Sequence, residues 1–151
     1  MSTTLAEAME HAEPVEGSTV LDLTVMELDD AVEEHAVEPG EYNLVCIGAR
    51  LNQKSPDSQR YLLTTFEIAD YPTAKAVTHF NWIPDPSFND QRQLNRNRVN
   101  LNKTLEALGL PNNGQLDLAE MVGAECVAVL RKDDDPEYGE QNRIRYFITG
   151  A

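Results

Sequence analysis

Arg50, Lys54, Arg60, Tyr61, Trp82, Tyr138, Arg143 and Arg145 are the residues whose types and spacing fit a recognisable chemistry. Guanidinium and ammonium groups pair with phosphates, and aromatic rings offer faces on which bases stack. Arg131 and Lys132 add two cations near the end of the chain. Phe80 and Trp82 share one strand face with Ala76 and Thr78, and that face is either core or an open platform. Tyr61 lies on a more open face, with Thr65 and Glu67. Tyr138 reads equally as a clamp over a base and as a loop anchor. Arg143 and Arg145 alternate with Ile144 and Tyr146, so the two cations are expected on one face and the apolar pair on the other.

Other chemistries find little support. His11, His35 and His79 are scattered, and no HxxxH, CxxC, GxxxxGK[ST] or GxSxG pattern occurs. Asp133, Asp134 and Asp135 stand in a row and read as a solvated hairpin tip rather than a metal site. The expectation is a protein that is not an enzyme and uses neither cofactor nor metal. Cys46 and Cys126 lie in separate apolar stretches, as expected for two buried thiols of a cytoplasmic protein. No apolar run approaches the ~20 residues that span a bilayer, and the first residues have no basic or apolar region of a secretory leader.

The net charge of −14 argues at first against a polyanionic partner. Its distribution changes that. Residues 1–40 hold 11 acidic residues and no Lys or Arg, leaving 15 acidic and 12 basic in residues 41–151. Five of those 15 crowd into the Asp133 to Glu140 stretch, so the remaining body carries 10 acidic and 12 basic side chains, a net of +2. A phosphate-binding groove survives an anionic total when the negative charge is segregated in this way. Such an arm is expected to be solvated, to compete for a basic groove on its own domain, or to recruit a basic partner.

The elements that must position these residues follow from pattern. Residues 1–38 read as an acidic, largely disordered arm, with a possible docking segment at 19–34 whose apolar residues fit a strand or a helix equally. Strands are expected at 41–51, 60–68, 76–83, 125–131 and 143–148. Gly48 marks a bulge or bend in the first. Between the third and fourth strands, Leu94, Leu101, Leu105 and Leu108 form a helical stripe, with Arg92, Arg96 and Lys103 opposite as a solvated face. Ser87 or Asn89 is the expected cap, with Asp90 in the first turn. This order predicts a mainly β fold, a five-stranded OB-fold-like barrel over residues 39–151 with one helix between strands 3 and 4. A β-sandwich with an inserted helix also satisfies it.

The run GEYNLVCIGARL, then RYLLTTFEI, a Trp-containing strand, LEALGL ending the helix and NRIRYFI in the last hairpin resembles small phage proteins of the DUF669 type and related phage single-stranded DNA-binding proteins. The resemblance covers roughly residues 39–150. It implies an OB-like fold and sequence-tolerant single-stranded DNA binding in phage DNA replication or recombination, in the host cytoplasm. Many bacterial single-strand binders recruit partners through an acidic C-terminal tail. Here the acidic segment is N-terminal, so replication or recombination proteins are expected to meet that arm, and self-association stays open. The competing expectation is a non-enzymatic interaction or virion-associated module that docks through the arm.

Overall fold

A computed structural model describes residues 19–149. The disorder expected for residues 1–18, and His11 within them, lies outside the described residues. The chain divides into two units, Met1–Val32 and Glu33–Ala151. In the first unit, Leu23–Met26 and Leu28–Asp30 form two short 3-10 turns, separated by Glu27 in the left-handed region at φ 51°. The segment is thus neither the strand nor the α-helix that its pattern allowed. Asp22 caps the first turn through the Thr24 amide, at 3.1 Å.

The second unit is built on a five-stranded antiparallel sheet. The strands are β1 (Gly40–Gln53), β2 (Arg60–Ile68), β3 (Val77–Trp82), β4 (Glu125–Asp135) and β5 (Gly139–Ile148). They lie in the order β3-β2-β1-β4-β5. β1 serves two ladders. Gly40 to Val45 pairs with β4, and Leu44 to Gln53 pairs with β2. The register shifts between Cys46 and Gly48, next to the glycine singled out in the sequence. β3 and β5 are the two edges, and no ladder joins them, so the sheet is not closed. The edges nonetheless approach through side chains: the rings of His79 and Phe147 lie 5.1 Å apart, edge to face.

Alternation along the strands selects one face for the core. Leu44, Cys46, Leu62, Phe66, Ile68, Val77, Ala128, Leu130 and Ile144 are buried there. Helix α1 (Gln91–Ala107) packs against this core through Leu101 and Ala107, Leu108 just after it is part of the core, and Leu94 and Leu105 are also buried. Its N-cap is Asp90, not Ser87 or Asn89. Asp90 accepts from the Gln93 amide at 2.8 Å, while the Gln93 side chain accepts from the Asp90 amide at 3.2 Å, a reciprocal capping box. A 3-10 turn, Leu118–Met121, leads into β4 and buries Met121.

Three further features differ from expectation. Residues 132–142, expected as a loop, are mostly strand, with Asp133, Asp134 and Asp135 pairing with Gln141, Glu140 and Gly139. Charge does not prevent pairing at an exposed ladder end, where carboxylates keep their water. On β5, Val129 pairs with Tyr146 but Leu130 with Ile144, leaving Arg145 as an extra, bulged residue. Ile144 is therefore buried and Tyr146 exposed, and the expected shared face for that apolar pair is lost. The expected domain start at residue 39 is also late, because Glu33 to Glu38 belong with the sheet. The buried Asn142 side chain accepts from the Val37 amide at 2.8 Å and donates to the Val37 carbonyl at 2.9 Å. His35 adds a parallel bridge to Ala74.

Candidate nucleic-acid interface

The face of the sheet away from the core carries two of the predicted rings, Tyr61 and Trp82, together with Phe80. In β2, Leu62, Thr64 and Phe66 point inward, so Tyr61, Leu63 and Thr65 point outward. In β3, Val77 and Asn81 are buried, and Thr78, Phe80 and Trp82 take the outer side. Phe80 and Trp82 are 44% and 42% exposed, so this face is open and not core. Register brings the rings together: Tyr61 pairs with Trp82, and Leu63 with Phe80. Tyr61 stacks on Phe80 at 4.7 Å, and Phe80 meets Trp82 edge to face at 4.8 Å. On the other side of β2, Asn52 pairs with Tyr61 and Arg50 with Leu63. Two cross-strand rows result, Asn52–Tyr61–Trp82 and Arg50–Leu63–Phe80.

The cations divide. Arg50 lies on the aromatic face, exposed. Lys54 is exposed in the β1–β2 loop at the Trp82 end. Arg60 has the strand parity of the buried Leu62 and leaves the sheet on the side opposite Tyr61, at its open end. Arg50, Lys54 and Arg60 have no ion-pair partner among the described residues. Glu67 bounds the platform at its far end, opposite Val45.

The last hairpin is arranged differently. Arg131 is paired with Asp133 at 3.1 Å, and Lys132 with Glu38 at 2.7 Å and Glu140 at 3.3 Å. The bond to Glu38, chiefly, holds the Lys132 ammonium above its ordinary pKa. Arg143 lies across the ladder from Arg131. Tyr138 occupies the turn. Asp135 accepts from the Glu137 and Tyr138 amides at 2.8 and 3.0 Å, which keeps its carboxyl below the usual range. Lys75 donates to the Tyr138 carbonyl at 3.1 Å, which fixes the tip beside the start of β3. Trp82 is at the other end of that strand, on the order of 17 Å away. Tyr138 is thus not brought to the ring cluster, and neither is Arg143. Arg145 borders a cleft between β5 and α1 instead.

Sequence reasoning missed a second feature at Trp82. The ring also lines an open cleft of about 480 Å³ with Phe88, Gln93, Arg96, Asn97 and Asn100. The signal was present in the i, i+3, i+4 and i+7 spacing of Gln93, Arg96, Asn97 and Asn100, which puts these polar residues on one helix face. Of these four, only Arg96 stands out in the sequence, as part of a solvated helix face. Among the described residues no three His, Cys, Asp or Glu side chains converge as metal ligands. No helix among them is long and apolar enough to cross a membrane. No protein-family model and no curated protein matches the chain.

Proposed function

We propose that this protein binds single-stranded DNA with little sequence preference. Bases stack on Tyr61, Phe80 and Trp82, while Arg50 and Lys54 meet the phosphates. One observation carries the reading: three aromatic rings stand in mutual contact on a sheet face turned away from the core, with Phe80 and Trp82 exposed and Tyr61 half-buried beside them. Exposed rings of this size are costly to leave idle, and every base presents a π face to them. An OB-like plan, whose strand 2–3 face is the binding surface, supports the reading in one respect: β1 serves two ladders, although no ladder joins β3 to β5. The resemblance to DUF669-type phage proteins suggests replication or recombination in the host cytoplasm as the setting.

Trp82 is the sole tryptophan, so its fluorescence reports on the platform directly. Titration with oligo-dT at about 50 mM salt is expected to quench it. Tyr61→Ala and Phe80→Ala should each weaken binding by about 1–3 kcal/mol. Absence of binding, for the full chain and for a chain starting at Glu33, removes the proposal.

A second reading is a docking module. It is favoured by Leu21, Leu23, Val25, Met26, Leu28 and Val32, apolar side chains of the acidic first unit that are all exposed. Capture of a replication or recombination protein by the full chain, lost on deleting residues 1–32 while the rest of the chain binds no DNA, would select it.

A further inference from the structure

The aromatic platform does not end at the edge of β3. After Trp82 the chain passes Pro84 and Pro86 and returns as α1. Trp82 is shared between the sheet face and the cleft it lines with Phe88 and Arg96. Asn100 is shared in turn between that cleft and a second one of about 410 Å³, which Lys103, His79, Arg145 and Tyr146 also line. Arg96, Asn100 and Lys103 follow one another at i, i+4 and i+7, about 10 Å along one helix face. The two clefts are therefore consecutive stretches of a single surface track that begins at the platform.

The chemistry of the track is that of a polynucleotide strand. α1 holds Arg92, Arg96, Arg98 and Lys103, four of the chain's 12 cations, and Glu106 is its one carboxylate among 26 in the chain. Glu106 borders the second cleft; no carboxylate lines the first. Arg96, Lys103 and Arg145 have no ion-pair partner among the described residues. The wall of the first cleft is held in place. The Asn89 side-chain oxygen accepts from Gln59 at 2.9 Å and from Asn97 at 3.1 Å, and Gln59 also donates to the Ile83 carbonyl at 2.9 Å. This leaves the Asn97 side-chain oxygen and the Asn100 amide with no protein partner among the described residues, open to a base edge. Trp82, Phe88 and Tyr146 set exposed rings along the same route.

We infer that a bound single strand continues past Trp82 and crosses α1. One nucleotide sits in the Phe88–Asn97 cleft, and Arg96, Lys103 and Arg145 carry the following phosphates. The inference rests on the platform reading and extends its footprint from the sheet onto the helix and the β5 bulge.

The test uses the full chain, tryptophan fluorescence and fluorescence anisotropy of labelled oligo-dT of about 4 and about 12 nucleotides, a short and a long length within the range that one OB fold covers. An Arg96→Ala/Lys103→Ala double variant should bind the short oligomer as the parent does and lose about tenfold or more for the long one. Its salt slope for the long oligomer should fall by about 1.4, two phosphates at about 0.7 each. Alanine is the best helix former, so helix content by circular dichroism should be unchanged. Parental affinity and slope at both lengths overturn the track and leave the platform standing. An equal loss at both lengths also overturns it, because the helix cations would then act within the minimal site. If the parent chain binds neither oligomer, the track and the platform fall together.

Discussion

At the residue scale, the polar side chains inside the fold are as informative as the rings outside it. His79 lies on β3 against Phe147, and burial pushes its pKa down to about 4. The unfolded chain binds this proton near pH 6.5, so between about pH 6.5 and 4 it holds more protons than the native state. Stability is therefore unaffected by His79 above pH 6.5 and falls as pH drops through that window, by up to about 3 kcal/mol. Urea midpoints measured from pH 7 to 4.5 should decline in the parent and flatten in His79→Phe. Asn142 is 1% exposed and satisfies both backbone groups of Val37. Asn142→Ala would leave those groups unpaired and is expected to cost about 2 kcal/mol or more, read as a lower denaturation midpoint. Cys46 and Cys126 are buried as their apolar neighbours implied, and burial raises the Cys126 thiol to about 11, with a smaller contribution from Cys46. Roles such as that of Asn142 are not legible in sequence, because its partner lies 105 positions away.

At the element scale, strand and helix identities were legible, while their ends and irregularities were not. β2 spans the residues that its alternation marks, 60–68. The helix was expected from its leucine spacing, but its cap fell one residue past Asn89 because the Asp90–Gln93 pair satisfies two amides at once. Asp90→Ala should lower the melting temperature by about 2–4 °C, corresponding to a cap of about 1 kcal/mol. The bulge at Gly48 was foreseen from the glycine; the bulge at Arg145 had no marker residue, and it alone turns Tyr146 outward. A Cβ on Gly48 would meet nothing within 4 Å, and its φ is not positive. Gly48→Ala is accordingly expected to leave the melting temperature unchanged or slightly raised, so the bend belongs to the ladder exchange of β1 and not to the glycine.

At the scale of the whole molecule, segregation of charge decides which partners are possible. Residues 1–32 hold 8 acidic side chains and no Lys or Arg, so a chain starting at Glu33 has a net charge of −14 + 8 = −6. If the single-strand reading holds, that chain should bind oligo-dT more tightly than the full chain at low salt, with the difference shrinking as salt is added. It should also melt with the parent, since Val37 and its bonds to Asn142 are retained. Removal of a further seven residues, to Gly40, should lower the melting temperature by stripping Val37 from its buried site.

The sequence by itself determined the strands, the helix and the separation of an acidic segment from a nearly neutral body, because alternation, leucine spacing and charge are local properties of the chain. It also supplied the rings. Which side of the sheet those rings would take, and which cations would stand near them, was decided only by the tertiary structure. Phe80 and Trp82 could serve core or surface until the pairing of β3 with β2 and the burial of Val77 and Asn81 assigned the faces. Arg50 reached the rings by register, whereas Arg143 and Tyr138 were held elsewhere by the hairpin and Lys75. Arg96 acquired an aromatic neighbour because α1 packs beside β3. Each of these outcomes depends on contacts between residues far apart in sequence, and only a folded chain makes them.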